Sequence, residues 1–461
     1  MFQGVLKNKL KEMKREYEKK SVIIPVEKKE KKVSISDTFR NIIPTKKGIY
    51  ISNILRGVQI TGVPGCGKTN IVKELVIQLI SKGYSMYICD YTYPNLSLVA
   101  YNAFLKYQKN YEHKPQFCVI NFEDITTTNS CNPIHSELLK NPFDAIQASK
   151  AFFEGLPFKK HFESKEIFKE TLVLFLGACI WGLKLYKGGK NCSIAHLIEL
   201  FSSQDKKSIF KFLSQFDDES ISKFISHFEK LPSEINNLFE SFILNFRKYI
   251  SQLNLKNIYY IMNTEENTNL LQVNDPLNPK ILCVGSNPLN SSLYAPFICL
   301  YNVQLMRQIQ SANKNHTGIV FDDMSCSSFP PQTLEGFLVT SRGYRIAPIL
   351  SYENLKKLAK NIGGETAYCN VINTILLNRF IGRDYKNNEN LERGEFVGEI
   401  YNEGGEPIQF HEKINFDEER FAEYKKNAIP QFIEKKVIEE KATENFQRIK
   451  KEVLLMVKNN V

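Results

Sequence analysis

The sequence has no close pair of cysteines. Its ten cysteines are spread singly over 461 residues, and no two of them form a C-x-x-C motif. Structural zinc sites and disulfide-bonded scaffolds both need cysteines at short, regular spacings. We therefore expect neither a structural zinc site nor a disulfide framework. Scattered single cysteines are typical of a reducing compartment, so we expect a cytoplasmic location.

Long hydrophobic runs are also absent. The most apolar stretch, Thr171–Leu183, is shorter than the roughly 20 apolar residues that a helix needs to cross a bilayer. The amino-terminal region is rich in lysine and lacks the apolar core that a signal peptide carries. We expect no transmembrane segment, so any residence at a membrane would be peripheral and would depend on partners.

The charge is distributed unevenly. The chain has a formal net charge of +11, and residues 1–47 hold 14 lysine and arginine residues against 6 aspartate and glutamate residues. Two interpretations stay open for this amino-terminal arm: a solvated leader, or a basic arm that binds DNA, anionic lipid or an acidic partner. The hydrophobic content of 43% is enough for folded cores, and the length predicts two to three domains.

One motif points to a specific ligand. Residues 62–69 read G-x-x-x-x-G-K-T, after a predicted strand at Val58–Thr61 and before a predicted helix at Asn70–Lys82. Glycines permit the backbone angles that turn successive amides toward a phosphate, and the amino terminus of the helix adds partial positive charge. The motif therefore predicts that the chain binds ATP with Mg²⁺. The predicted nucleotide-binding residues are Gly62, Val63, Pro64, Gly65, Cys66, Gly67, Lys68, Thr69 and Asn70.

A site of this type also needs acidic residues at the end of an apolar strand. One carboxylate holds Mg²⁺, and a second one polarises the water that attacks the γ-phosphate. Asp322 and Asp323 follow the apolar run 318–321 and fit these roles, so Thr69 and Asp322 are the predicted metal ligands and Asp323 a predicted catalytic residue. Asp90 ends another apolar run and is an alternative, which we place on a neighbouring strand of the same sheet.

Two arginines flank the turn into a later predicted strand. Arg342 and Arg345 are both candidates for an arginine finger that acts across a subunit boundary, and we select Arg342 as a predicted catalytic residue. A surface salt bridge is the alternative interpretation for these side chains.

The hydrophobic pattern predicts an α/β protein with an interruption. Strands alternate with helices in two separate regions, which is typical of a mostly parallel sheet with covered faces. Between these regions, apolar residues recur at helical spacing without strand signals and predict an inserted all-α domain. A hairpin is predicted at 395–411, and a helical tail broken at Pro430 follows. The predicted division is 1–47 (arm), 48–140 and 262–411 (α/β core), 141–261 (all-α insertion) and 412–461 (tail).

Several segments occur in an order that resembles a known family. They are the phosphate-binding loop, 83–91 with Pro94, 114–122 with 131–133, 279–285 with 287–288, 318–323, and 341–342. Together they resemble the conjugal-transfer coupling proteins of type IV secretion, the TraG/TraD-like branch of the FtsK/HerA ATPases, and most closely the forms found in Bacteroidetes-type mobilisation systems. The resemblance covers roughly residues 50–400, and the helical insertion also looks like that family's all-α domain.

The resemblance implies a RecA-like P-loop NTPase core that assembles as a hexameric ring. It further implies that ATP hydrolysis moves DNA or a relaxase–DNA complex toward a type IV secretion channel. In the family's terms, Lys68 and Thr69 are the phosphate and Mg²⁺ groups, and Asp322 is the aspartate of the acidic strand. Members of the family commonly begin with transmembrane helices. For this chain, contact with the inner membrane would therefore come through membrane components of the secretion system.

Three positions depart from the family pattern. Asp323 stands where the family usually has glutamate, Thr92 where it has lysine, and Glu353 where it has a glutamine of the sensor segment. We include Glu353 among the predicted catalytic residues. A misplacement of 1 Å can cost on the order of 10²-fold in rate, and an added carboxylate repels a polyphosphate unless it is protonated or turned away.

Two functions of other classes stay open beside a DNA-transfer ATPase. The three departures favour a degenerate nucleotide-binding adaptor or scaffold with little hydrolysis. A P-loop enzyme unrelated to DNA, such as a small-molecule kinase, is the other alternative. The 254 positions between Lys68 and Asp322 argue against it, because such enzymes are usually compact.

Overall fold

The structure is a computed structural model, and its described residues leave gaps in the chain. They are residues 12, 15–16, 18–26, 48–159, 166–230, 233–262, 268–285, 287–310, 314–323, 331–353, 377–383, 390–402, 404–416 and 418–458. Most of the amino-terminal arm lies outside them, as does the helix that the sequence pattern predicts at 355–362.

The first described strands lie at the end of the amino-terminal arm. Strand β1 (Val22–Pro25) pairs antiparallel with β2 (Gly48–Ile51). Val22 and Ile24 point into the core, and Ile23 and Pro25 are less buried. The proline and the charged residues of 21–47 predict an irregular segment, and this prediction is wrong for β1. Its three consecutive apolar residues give no period-two alternation, and a proline and many charges flank them.

A nine-stranded sheet forms the centre of the described residues. Its order is β11-β10-β9-β3-β8-β7-β4-β6-β5, and every neighbouring pair from β9 to β5 is parallel. Within this sheet, only the pairs β9–β10 and β10–β11 are antiparallel. The predicted α/β fold with a mostly parallel sheet is thus confirmed. The strands are β3 (Val58–Thr61), β4 (Ser85–Asp90), β5 (Gln116–Asn121), β6 (Lys280–Gly285), β7 (Thr317–Phe321), β8 (Ile346–Tyr352), β9 (Asn378–Ile381), β10 (Glu395–Tyr401) and β11 (Pro407–Lys413).

Helices cover both faces of this sheet. On β4, Met86 and Ile88 pack into one core, together with apolar residues of α1 and α2. Tyr87 and Cys89 alternate with them and pack into a second core, which contains α10, α11 and the helices α3–α9. The period-two alternation of a strand therefore joins the two layers. The helices are α1 (Lys68–Ser81), α2 (Asn95–Tyr107), α3 (Pro142–Gly155), α4 (Glu166–Leu185), α5 (Ile194–Ser203), α6 (Lys206–Leu213), α7 (Glu219–Glu229), α8 (Ser233–Ile250), α9 (Leu255–Ile261), α10 (Ser291–Ile309), α11 (Pro331–Ser341), α12 (Glu418–Glu423) and α13 (Lys435–Lys458).

Helices α3–α9 occupy the region predicted to be all-α. Helix α3 begins with a capping box between Asn141 and Asp144, and Pro142 is its first residue. Close packing attaches α3 to α10, because a Cβ at Gly155 would lie 2.3 Å from the Cα of Pro296. No strand occurs among the described residues of this region. The exact domain boundaries stay a prediction.

The two helices of the carboxyl-terminal region pack on different parts of the protein. Helix α12 lies near α1, and α13 packs on α5, α6 and α9. Pro430 lies between α12 and α13, where the sequence predicts a break. No helix in the described part of the chain combines the length and the apolar character that a bilayer crossing requires.

Candidate nucleotide-binding site

The loop between β3 and α1 has the backbone shape of an anion cradle. Gly62, Gly65 and Gly67 have φ angles of 146°, 81° and 111°, which residues with a Cβ rarely adopt. A Cβ at Gly65 would find no heavy atom within 4 Å, so the loop faces open space at this position. At Gly62, a Cβ would lie 2.7 Å from Sγ of Cys66. The backbone angle therefore favours glycine at all three positions, and lack of space adds to this preference at Gly62.

Neighbouring strands hold the loop in place through backbone hydrogen bonds. The Gly62 amide donates to the carbonyl of Glu353, just after β8, at 3.2 Å. The Val63 amide donates to the carbonyl of Arg383, just after β9, at 2.9 Å. The Cys66 carbonyl accepts from the Gly394 amide, just before β10, at 3.0 Å. The loop is thus fixed on both sides of β3.

Lys68 is the first residue of α1, and its ammonium group lies over this loop. Nζ donates to the carbonyls of Gly62 and Val63 at 2.8 and 3.2 Å. The first amides of a helix have no partner within the helix, and they carry the positive end of its dipole. Three sources of positive potential, namely loop amides, helix terminus and ammonium, therefore converge on one concave site.

Thr69 and Asp322 meet at the edge of the loop. The Thr69 hydroxyl donates to Oδ2 of Asp322 at 3.3 Å, so the structure brings the two predicted metal ligands together. No group of three or more His, Cys, Asp or Glu side chains that could hold a metal ion occurs among the described residues. Mg²⁺ usually takes one or two protein ligands and completes its shell with phosphate oxygens and water, which the Thr69–Asp322 pair could provide for.

The environment of Asp322 disfavours its charged form. Its side chain is 4% exposed, and burial raises the pKa of its carboxyl group. The neighbouring carboxylate of Asp323 adds to this rise, whereas the Thr69 hydroxyl and the Lys68 ammonium oppose it. A cation beside Asp322 would offset this electrostatic penalty.

Asp90 lies beside Asp322 but has a different set of contacts. Strands β4 and β7 are neighbours, so the predicted placement of Asp90 on an adjacent strand is confirmed. Its Oδ2 accepts from the amide and the hydroxyl of Ser97, both at 2.8 Å, at the start of α2. Burial raises the pKa of Asp90 to about 6, and Oδ1 has no hydrogen-bond partner among the described residues.

The site contains a second cation that the loop motif does not indicate. Lys73 on α1 is 7% exposed and interacts electrostatically with Asp322 and Asp90. Burial lowers the pKa of its ammonium group, and these two carboxylates act against that effect. A lysine between the apolar residues Val72 and Leu75 is the sequence signal that would have revealed it.

Some of the remaining predicted residues lie beside the loop, and others do not. Asp323 follows Asp322 with a left-handed φ of 54°, and the backbone of Glu353 contacts the loop at Gly62. Thr92 is exposed in the turn after β4. Arg342 is exposed and precedes β8, whereas the loop lies beyond the carboxyl end of β3, which runs parallel to β8. Within one subunit, Arg342 therefore lies at the opposite edge of the sheet from the loop.

No family model matches the sequence, and no curated protein matches it. Solved structures of a bacterial conjugative coupling protein, TrwB, do match. TrwBdeltaN70 in a trigonal form with sulphate aligns over 82% of this chain and 81% of that chain, with 14% identity and a TM-score of 0.51. The chain has the fold of TrwB. TrwB in complex with ADP and Mg²⁺ aligns over 82% and 81%, with 13% identity and a TM-score of 0.52.

The likeness to TrwB supports the predicted fold. A RecA-like P-loop NTPase core with a mostly parallel sheet is confirmed. A third alignment, with TrwB bound to the non-hydrolysable ATP analogue ADPNP, covers 82% of this chain and 81% of that chain, with 14% identity and a TM-score of 0.52. TrwB has thus been solved with ADP and Mg²⁺ and with a triphosphate analogue.

Proposed function

We propose that this chain is an ATP-binding coupling protein of DNA transfer. It uses ATP to move or recruit DNA or relaxase–DNA complexes to a type IV secretion-like channel. One observation carries the proposal: a G-x-x-x-x-G-K-T loop and the Thr69–Asp322 pair converge at one sheet edge in a chain that has the fold of TrwB.

The chain's own residues would share the work as follows. Loop amides and the Lys68 ammonium bind the phosphates, and Lys68 exchanges its carbonyl acceptors for phosphate oxygens. Thr69 and Asp322 would hold Mg²⁺, which would neutralise negative charge on the phosphates when it is bound. Asp323 orients the attacking water. Lys73 keeps a positive charge near the buried carboxylates.

A ring of identical subunits would complete the site. Arg342 lies far from the loop of its own subunit, so it can reach a nucleotide only across a subunit boundary. A hexameric ring is the arrangement that the sequence resemblance implies. In such a ring, Arg342 would stabilise the charge that develops during phosphoryl transfer. Contact with the inner membrane would come through secretion-system partners.

The test is the ATPase rate of the purified chain, measured with and without single-stranded and double-stranded DNA, alongside its mass in solution. We expect hydrolysis that requires Mg²⁺ and rises with DNA in the assembled form. Phosphate transfer to small acceptors is measured in parallel, because a small-molecule kinase would show it. Hydrolysis that DNA does not stimulate, in a confirmed ring, would contradict the coupling function.

A second candidate function is a nucleotide-binding adaptor with little hydrolysis. The observations that favour it are the shorter Asp323, the exposed Thr92 in place of a lysine, and the acidic Glu353 next to Gly62. In that case ATP would act as a structural switch, and the helical region would recruit the substrate. ATP binding without turnover, with or without DNA, would support this candidate.

A further inference from the structure

An aromatic ring lies directly against the phosphate-binding loop. Phe416 follows β11, and a Cβ at Gly67 would lie 2.7 Å from Cε2 and Cζ of its ring. A Cβ at Gly394 would lie 3.0 Å from the same Cε2 atom. Phe416 is half-buried as a residue, and the edge of its ring contacts the two glycines. Its neighbour at the loop, Phe396, is fully buried.

Backbone hydrogen bonds position this ring. The Gly394 amide donates to the Cys66 carbonyl of the loop at 3.0 Å, and the Ile414 amide donates to the Gly394 carbonyl at 2.8 Å. The next amide, that of Asn415, donates to the carbonyl of Pro25 at 2.9 Å. Ile414 itself is 2% exposed. The residues before Phe416 are therefore anchored both to the loop and to β1, and the ring has a defined place.

The sheet order gives the direction in which a nucleotide would extend. Asp322 follows β7, which lies two strands from β3 on one side. Gly394, which contacts Phe416, precedes β10, which lies two strands from β3 on the other side. Two strand spacings amount to about 10 Å. If the terminal phosphates lie on the Asp322 side of the loop, the nucleoside lies on the side of Phe416.

We propose that Phe416 forms the base subsite of the nucleotide site, with its ring stacked against the nucleobase. The inference rests on the proposed nucleotide binding and adds a second recognition element to it. The loop binds the phosphates, and Phe416 binds the base. Stacking on an aromatic ring tolerates any base, because each base has a π-face. Phe416 therefore increases affinity without imposing strong selection between ATP and GTP.

The experiment compares two ligands on matched variants by calorimetric titration with Mg²⁺. ATP has a base, whereas inorganic tripolyphosphate presents only the phosphate chain. The variants are Phe416→Ala, Phe416→Leu, which keeps apolar volume without a π-face, and Phe416→Trp, which restores the ring. The control is Phe410→Ala on β11, because Phe410 is also half-buried but packs on Phe380, with ring centroids 5.0 Å apart.

We expect Phe416→Ala and Phe416→Leu to weaken ATP binding about 5- to 100-fold, the range for loss of one base–aromatic stack. Affinity for tripolyphosphate should stay the same, and Phe416→Trp should restore ATP binding. An equal loss for both ligands, or no loss for ATP, would overturn the base subsite while leaving nucleotide binding intact. If the wild-type chain binds neither ligand, the proposed function itself fails. Should Phe416→Ala unfold, Phe416→Leu decides the question.

Discussion

The hydroxyl of Thr69 lies 3.3 Å from Oδ2 of Asp322, although 253 positions separate the two residues in the sequence. Strand β7 delivers the carboxylate to the amino terminus of α1, and the strand β8 lies between β7 and the loop strand β3. This contact joins the two regions of the chain that flank the helical insertion, and it makes the site sensitive to single substitutions at either residue.

Replacement of Asp322 by asparagine should abolish turnover but raise the thermal stability of the protein. We expect Asp322→Asn to abolish Mg²⁺-dependent hydrolysis while retaining part of the ATP binding, because the phosphate cradle is unaffected. Burial raises the pKa of Asp322, so the neutral amide should also raise the melting temperature of the nucleotide-free protein. Calorimetry measures melting, and a phosphate-release assay measures turnover. Full hydrolysis by Asp322→Asn would remove Asp322 from the metal site.

Replacement of Lys68 by alanine should abolish nucleotide binding or turnover. The ammonium group is the side-chain charge that sits over the loop carbonyls, where the phosphates would bind. The matched control is Lys109→Ala, since Lys109 is exposed on the surface. Equilibrium titration with ATP measures the effect, and Lys109→Ala should behave like the wild type. Equal affinity of Lys68→Ala and wild type would exclude the loop as the nucleotide site.

Replacement of Asp323 by glutamate distinguishes an active DNA-transfer ATPase from a nucleotide-binding adaptor with little hydrolysis. If the site is degenerate because its base is too short, Asp323→Glu should raise the ATPase rate by about 10- to 100-fold. If the site is already competent, the rate should not rise. The residue has a φ of 54°, which costs glutamate more than aspartate, so melting temperatures should accompany the rates.

Mixing two inactive variants tests whether Arg342 acts across a subunit boundary. We expect Arg342→Ala to lower turnover at unchanged ATP affinity. In mixed rings, an Arg342→Ala subunit keeps its loop and a Lys68→Ala subunit keeps its arginine, so a boundary between them has one complete site. Partial recovery of activity on mixing, measured against each variant alone, is the expected result. Absence of recovery in rings shown to be mixed would leave Arg342 as a surface residue.

Acid should weaken the fold through His316. Its ring is 3% exposed, Nε2 lies 3.3 Å from Oε1 of Glu16, and burial lowers the pKa of the histidine to about 4. Between pH 6.5 and 4, the unfolded chain therefore binds a proton that the folded chain does not. The free energy of unfolding falls over this window as pH decreases, by about 1 to 2 kcal/mol at pH 5.

The variant His316→Gln should show a smaller loss between pH 7.5 and pH 5 in urea denaturation. His227→Gln, at an exposed histidine of α7, is the control and should lose as much as the wild type. A pH profile of His316→Gln that coincides with that of the wild type would show that another group controls the acid sensitivity.

Local patterns predicted much of the fold. The helix predicted at Asn70–Lys82 is α1 (Lys68–Ser81), and the strand predicted at Val58–Thr61 is β3 with the same bounds. These elements have strong periodicity, and caps or glycines mark their ends. β1 was missed, because its pairing with β2 depends on residues that are distant in sequence. Phe416 was missed for a related reason, since its position beside the loop comes from packing near β10 rather than from a motif. Lys73 lies on α1 itself, and its burial beside the carboxylates depends on the strands that pack against this helix.

The sequence by itself determined the class of ligand and the type of sheet. A glycine-rich loop between strand and helix selects phosphate because backbone geometry is local, and alternating strands and helices favour parallel pairing. Only the tertiary structure shows which of Asp90 and Asp322 contacts Thr69 at the loop. Both follow apolar strands, but Asp90 accepts from Ser97 at the start of α2, whereas Asp322 accepts from Thr69. Strand order depends on contacts between distant segments, and so does the choice of carboxylate.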